Sequence, residues 1–339
     1  MRGRGKERET PARIGLELQD VPVGGLTVIR NSPTGQAHVL LTRQFSAQTR
    51  GKGQIELYSV FPGVDASYTR LLAEEITIHH AASSSVLELF YCHSGRVGWN
   101  MRGGTALYLG AGDLAAHSAE CCADSAMMFP LGYAEGVSIS VCLPVLESNC
   151  PEILREAGLE FPKLREAFCS GKPAAIPACR ELEGIFAPLY SAPVTRRRAY
   201  LQLKVQELLL YLTEVQPRKQ VLTQYFSQQT ELVKEIHRQL TEHLEQRFTI
   251  EDLSKQYLIN TSTLKEVFKA VYGLPIATYM KEYRMEQAMK LLRETGIPIS
   301  EIADRVGYET QGKFSKAFKD VVQMLPTEYR RTHCSNQTG

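Results

Sequence analysis

Between residues 55 and 146 the apolar positions fall in runs of four to seven, each closed by turn formers: 55–61 before Pro62-Gly63, 86–92 before Ser94-Gly95, 97–101 before Gly103-Gly104, 106–109 before Gly110-Ala111-Gly112-Asp113, and 137–143 before Pro144. This punctuation predicts short strands folded as a sandwich or small barrel. Residues 1–53 mix charge, Gly, Pro and Gln around two brief β-like runs, 26–29 and 38–42. They read as a partly disordered leader with one or two peripheral strands.

After Pro151 the period becomes helical. Leu201, Val205, Leu208, Leu209 and Leu212 follow the i, i+4, i+7, i+8, i+11 spacing, with Leu203 and Leu210 widening the stripe. Such a stripe is buried, either on its own β domain or in a two-fold contact with a second copy. Residues 214–220, which contain Pro217, break the helix and read as a linker. The 339 residues, at roughly 150 per domain, fit this two-domain division of leader 1–53, β domain with trailing helices 54–220, and a helical module 229–332.

The helical module contains a repeat. Thr249 stands as an N-cap before 250–257, whose first turn carries Glu251 and Asp252; residues 258–260 interrupt the period, and 261–269 resume it with Leu264, Val267, Phe268 and Val271 on one face. Helix, short turn and helix is the geometry that props a second helix outward into a major groove. Fifty residues on the pattern returns. Pro298 and Ser300, the expected N-cap, precede Ile302, Ala303 and Val306; Gly307 is the left-handed stop, and 310–318 form a second outward helix with Phe314, Ala317 and Phe318 inward. Leu264 and Phe268 match Phe314 and Phe318 at an offset of 50, while Leu253 matches Ile302 at 49, so the second turn is one residue longer. Between the units, 276–293 form one amphipathic helix, at ~1.5 Å per residue about 27 Å long. A rod of that length sets two reading helices near the ~34 Å pitch of a duplex turn.

The stretches Ile302-Ala303-x-x-Val306-Gly307-Tyr308, Lys313-Phe314-Ser315-Lys316-Ala317-Phe318-Lys319 and Pro326-x-x-Tyr329-Arg330 resemble the signature of AraC-type transcriptional regulators, over residues 229–332. Where that family usually places Gly-x-Ser/Thr-Pro after the second unit, this chain has Gln323-Met324-Leu325-Pro326; the first unit keeps Gly273. The resemblance implies a two-domain α+β fold: a cupin-like β-sandwich or barrel sensor followed by helices, then an all-α domain with two helix-turn-helix units joined by a long helix. It implies double-stranded DNA at a promoter site as partner, a surface presented to RNA polymerase with activation favoured over repression, and a small-molecule effector at the β domain. The outward positions implied to contact DNA are Thr261, Ser262, Lys265, Glu266 and Lys269 in the first unit, and Thr310, Gln311, Gly312, Lys313 and Lys316, with Lys319 beside them, in the second. Lys donates to guanine, Gln pairs with adenine, Glu accepts from cytosine, and Ser or Thr serves either base or phosphate.

Charge sharpens that expectation. The chain carries a formal +2, and residues 230–333 hold 16 Lys plus Arg against 15 acids. Phosphate neutralisation dominates nonspecific binding, so one copy alone is expected to bind weakly, with tight binding needing a second chain or an activating ligand. No apolar run approaches the ~18 residues of a bilayer span, and the basic N-terminus is followed by Glu7, Glu9 and Pro11 rather than an apolar stretch; a cytoplasmic location is expected.

The sensor cavity is expected among the inward residues Phe90, Cys92, Trp99, Met101, Tyr108 and Phe129. The turn 110–113 resembles one common in cupin-like sensors. A metal or other cofactor is not expected, because adjacent His79 and His80 would point to opposite faces of a strand. Eight cysteines without a CxxC pair read as reduced core residues, leaving oxidation at Cys121-Cys122 as an alternative signal. With no Gly-rich phosphate loop, nucleophile elbow or two-His metal helix, the chain reads as a regulator and not an enzyme. The rival is a small-molecule enzyme carrying an accessory DNA-binding tail.

Overall fold

The computed structural model describes residues 11–31, 46–102, 104–169, 173–215 and 225–333. The chain divides into two compact units, Met1–Ser227 and Gln228–Gly339.

The first unit is built on two long antiparallel strands, β2 (Ser46–Phe61) and β3 (Val64–His79), turning at Pro62-Gly63, with β1 (Leu26–Arg30) running parallel to β2. One edge of β3 supports two walls. Its first half pairs with β9 (Tyr133–Cys142), which continues through β4 (Val86–Gly95) and β7 (Leu114–Ser118) to β10 (Ala174–Ile176); its second half pairs with β8 (Ser125–Met128), followed by β5 (Val97–Met101), β6 (Thr105–Leu109) and β11 (Tyr225–Phe226). The walls diverge from this shared strand and enclose a core of Leu71, Ile76, Phe90, Val97, Trp99, Leu107 and Met127. The result is the expected near-barrel.

The turn residues do specific work here. At the bulge between Arg50 and Gly51 in β2, a Cβ on Gly51 would meet the Leu72 carbonyl oxygen at 2.4 Å, so only glycine lets the two backbones approach. Asp113 accepts from the Gly110 N–H at 2.7 Å and from the Ala178 N–H at 2.9 Å. The 110–113 turn thereby ties β6 and β7 to the segment after β10.

The sequence pattern understated this unit at its start. Residues 11–17 form α1, and Ile14 and Leu18 are buried against Tyr133. The leader is therefore structured over 11–31, because two apolar residues one helical turn apart find a cover. β3 escaped the pattern because Asp65, Arg70, Glu74 and Glu75 interrupt its apolar positions. Those charges are matched in three dimensions: Arg70 pairs with Glu56 at 2.8 Å and Glu17 at 3.2 Å, while Glu56 also holds Arg197 at 2.8 Å. The strand expected at 38–42 and the linker residues 216–220 lie outside the described residues.

Short helices α2 (Ala119–Cys122), α3 (Leu143–Ser148), α4 (Glu152–Glu156) and α5 (Phe161–Phe168) lead to α6 (Arg180–Ser191) and α7 (Arg197–Glu214). The α7 stripe lies in one core with Leu89, Val137 and Ile139 of the β9 wall and Phe186 of α6. Of the two readings of that stripe, the structure therefore takes burial on its own domain. Leu203 is 62% exposed and does not widen it.

The second unit is all helix: α8 (Ser227–Glu242), α9 (Ile250–Gln256), α10 (Thr261–Tyr272), α11 (Ile276–Glu294), α12 (Ile299–Arg305), α13 (Gln311–Val322) and α14 (Pro326–His333). Among the described residues no helix is long and apolar enough to cross a membrane.

Candidate nucleic-acid interface

Each reading helix is set by a local cap. Thr249 and Asp252 form a reciprocal capping box at the start of α9, with Thr249 Oγ1 accepting from the Asp252 N–H at 3.0 Å. Asn260 Oδ1 accepts from the Ser262 N–H at 2.8 Å to start α10, and Thr310 Oγ1 accepts from the Lys313 N–H at 3.2 Å to start α13. One expected cap is corrected: α12 begins at Ile299 with Pro298 as its N-cap, so Ser300 sits inside the helix. The fixed φ of Pro298 suits that boundary, and no side chain is needed there.

α10 buries Leu264, Val267, Phe268 and Val271, and α13 buries Phe314 and Phe318. The opposite faces are open. Ser262, Lys265, Glu266 and Lys269 are exposed and Thr261 is half-buried; Thr310, Gln311, Gly312, Lys313, Lys316 and Lys319 are all exposed. The structure thus gathers the expected positions on two solvent-facing helix surfaces.

Two of those residues have local duties that the sequence did not reveal. Thr310 spends its hydroxyl oxygen as the cap. Lys313 pairs with Glu309, which also holds Arg247 at 2.7 Å. Hydrogen bonding to Lys313, with Arg247 nearby, keeps the Glu309 carboxyl below its usual range. Arg247, from the loop before Thr249, therefore joins the surface at the head of α13. No periodicity argument would have found it, since it lies in a loop 62 residues before Glu309.

The two units share α11, whose 19 residues at ~1.5 Å rise span about 28 Å. Its Arg284 reaches back to the carbonyls of Leu244 at 2.9 Å and Gln246 at 3.3 Å. At the far end, Arg293 donates to the Tyr329 hydroxyl at 3.0 Å and Arg330 to the Ile297 carbonyl at 2.6 Å. Around the first unit, His237 stacks on Tyr272 at 4.2 Å and hydrogen-bonds the Tyr279 hydroxyl at 2.8 Å. Burial lowers its pKa to about 4. The connector is thus held near its start at Tyr279, at mid-length by Arg284 and at its far end by Arg293.

In the β unit a cavity of about 130 Å³ lies between the walls. Phe90 and Trp99 line it; Tyr108 and Phe129 do not. Trp99 pairs with Leu107 in the barrel core, so Tyr108, one residue on, takes the other face, where a Cβ on its partner Gly98 would meet the Tyr108 ring at 2.4 Å. Phe129, Cys92 and Met101 belong to the surrounding core. His79 turns to Asp124 at 3.1 Å and His80 to the Cys122 Sγ at 3.3 Å. Cys122 is buried and its thiol is pushed well above its usual range by that burial, which disfavours the thiolate that oxidation sensing requires.

Residues 253–332 match a family described as a helix-turn-helix domain. The HTH-type transcriptional activator RhaR of Mannheimia succiniciproducens is 33% identical over 91 residues, covering 27% of this chain and 33% of its own. The arabinose operon regulatory protein of Escherichia coli is 28% identical over 99 residues, covering 29% of this chain and 34% of its own. The solved C-terminal domain of AraT, a response regulator from Geobacillus stearothermophilus, is 33% identical, covering 32% of this chain and 90% of its own at a TM-score of 0.31. The chain spans about a third of the length of these curated relatives.

Proposed function

We propose that this chain, whose C-terminal third is a helix-turn-helix domain of the AraC type, is a sequence-specific DNA-binding transcriptional regulator controlled by a small molecule at its β domain. The observation that carries this reading is the pair of capped reading helices, α10 and α13, each with a buried apolar face and an exposed polar one, joined by a clamped helix of about the right length to address successive major-groove segments.

Base contacts are assigned to Thr261, Ser262, Lys265, Glu266 and Lys269 on the first helix and to Gln311, Gly312, Lys313 and Lys316 on the second, with Thr310 ordering the head of that helix. Lys319, further along the drift of α13, serves phosphate. The near balance of charge in residues 230–333 makes phosphate attraction weak, so tight binding requires a second copy or the bound effector. The protein acts in the cytoplasm, presents a surface to RNA polymerase, and favours activation. The cavity lined by Phe90 and Trp99 supports the effector assignment. The regulatory reading leaves catalysis without a role.

Genome-wide mapping of DNA bound by the full chain, followed by anisotropy titration of the enriched fragments, tests the proposal. Fragments sharing two short elements about one helical turn (~10.5 base pairs) apart are expected. Equal affinity for enriched and random DNA would overturn it, and nanomolar binding by a lone, ligand-free monomer at physiological salt would overturn the weak-monomer part.

A further inference from the structure

The inner face of the barrel carries polar groups that the packing does not use up. Register aligns one residue from each of five strands: Ser59 opposite Asp65, Asp65 opposite Ser140, Ser140 opposite Glu88, and Glu88 opposite His117. Directly opposed residues share a face, so these five make one polar rung across the wall. Ser59 Oγ donates to Asp65 Oδ1 at 2.9 Å and Ser140 Oγ to Glu88 Oε2 at 2.8 Å. Glu88 Oε1 and His117 Nε2, both buried, have no partner among the described residues. An unsatisfied buried carboxyl oxygen is uncommon in native proteins and asks for an explanation.

Glu88 opens onto the 130 Å³ cavity, beside the hydroxyls of Ser67, Ser138 and Ser140 and the ring of Phe90 two residues along its own strand, while Ile76 and Trp99 line it from the second half of β3 and from β5. That volume is close to the ~150 Å³ of an apolar cavity that admits benzene. Among the described residues neither Lys nor Arg lines it. Burial outweighs the Ser140 hydrogen bond and, with Asp65 nearby, pushes the Glu88 carboxyl up to about 8, and burial lowers His117 to about 4. The one imidazole among the lining residues, His80, is engaged by the Ala81 carbonyl at 2.9 Å and the Cys122 Sγ at 3.3 Å, so the Glu88 carboxyl has no ion-pair partner among the described lining residues. Phe90 and Trp99 meet edge to face at 6.1 Å. The empty cavity keeps the Glu88 carboxyl largely protonated; a bound ammonium group favours its ionised form, the proton passing to solvent, and then gains a charge-assisted hydrogen bond to the carboxylate and ring attraction from the aromatic pair.

We propose that this cavity binds a small amine with an apolar body about the size of a substituted benzene ring, its ammonium group held by Glu88 Oε1 and the Ser138 hydroxyl. The proposal rests on reading the β unit as the sensor of a DNA-binding regulator, and it names the chemical class that the sensor takes.

Trp99 is the single tryptophan of the chain and stands on the cavity wall, so its fluorescence reports occupancy. Full-length protein is titrated with benzylamine, benzyl alcohol and benzoate, and affinity for the enriched DNA is followed in parallel. Benzylamine is expected to bind at least tenfold more tightly than the alcohol and benzoate to bind worst. Glu88→Gln should cost the amine at least tenfold and the alcohol less than threefold; the three wild-type titrations decide the matter even should that variant not fold. Equal affinity for amine and alcohol, a preference for benzoate, or no change in Trp99 fluorescence with any probe overturns the amine site. The two readings fail separately: alcohol or benzoate binding that alters DNA affinity sinks the amine class and keeps the sensor, whereas amine binding that leaves DNA affinity unchanged keeps the site and sinks the sensor.

Discussion

The two helix-turn-helix units share a plan and differ in how they meet its two awkward backbone positions. Each unit needs a left-handed residue in its turn and another after its reading helix. The first unit places Leu258 at φ 51° in the turn and Gly273 at φ 84° after α10; the second places Gly307 at φ 78° in the turn and Gln323 at φ 63° after α13. The glycine has changed places. Surroundings explain the turn: Leu258 is 94% exposed, so its side chain meets nothing. A Cβ on Gly307 would lie 2.0 Å from the Leu244 carbonyl oxygen, the same carbonyl that Arg284 clamps. A left-handed backbone alone is tolerable for an ordinary residue at a modest cost; a left-handed backbone pressed against another backbone is not. Gly307 is thus a packing requirement for joining the two units, and Leu258 is a tolerated strain.

The largest expected effect follows. Gly307→Ala should destabilise the C-terminal unit by about 3 kcal/mol or more, since a backbone carbonyl must move and a clamp with it. Leu258→Ala at the matched position should change stability by less than ~0.5 kcal/mol. Denaturant unfolding of both variants checks this, and similar losses at the two sites would erase the asymmetry.

The reading faces offer a second contrast. Lys316→Ala and Gln311→Ala should each cost about 1–3 kcal/mol on the enriched sequence and little on random DNA, while Lys319→Ala should weaken all sequences alike. Equal losses on both DNAs for the first two would remove them from the base-reading set. Glu309→Gln frees Arg247 and Lys313 together, so it should raise affinity for every sequence and steepen the salt dependence, a change the first unit has no matching acid to produce.

The cores should part under acid. His237, caged by Tyr272 and Tyr279 in the first unit, has its pKa lowered by burial to about 4, whereas the second core is a ladder of Phe314, Phe318 and Tyr329 with no buried imidazole among its described residues. The unfolded chain takes up the proton near pH 6.5 and the folded chain only near 4, so stability is full above 6.5 and falls as pH drops toward 4. The loss should reach about 2 kcal/mol at pH 5. Amide exchange should then rise in α10 before α13, and His237→Gln should abolish the difference.

How much of this was written in the sequence varies with the range of the forces involved. The helical third was legible almost residue by residue, because its caps, stops and 3.6-residue period act over a few positions: Thr249, Thr310 and Gly307 each stand where local rules put them. The β unit was legible as a class and obscure in detail. β3 was hidden because Arg70 finds Glu17 and Glu56 only after folding. Tyr108 misses the cavity by one position of strand phase, a difference that a run of apolar residues does not reveal. Glu88 gave no signal at all: a Glu amid Leu87, Leu89 and Phe90 looks like an outward-facing residue, and only the five-strand register turns it inward.

The smallest effect tests whether the strain at Gln323 is real. Its φ of 63° matches Gly273 of the first unit, and its side chain recovers a little by donating from Nε2 to the Asp320 carbonyl at 3.0 Å, in the open. Gln323→Gly removes the Cβ conflict, worth ~1–2 kcal/mol, and loses that exposed hydrogen bond while gaining unfolded-chain entropy, which together offset part of it. The net expectation is a gain of roughly 0.5 kcal/mol, seen as a slightly higher midpoint in denaturant. Gln323→Ala keeps the conflict and loses the hydrogen bond, so the order of stability should be Gly, then wild type, then Ala. An order with wild type first would mean that the Gln side chain outweighs its backbone strain, and the second unit would then have replaced its glycine for a gain rather than tolerated its absence.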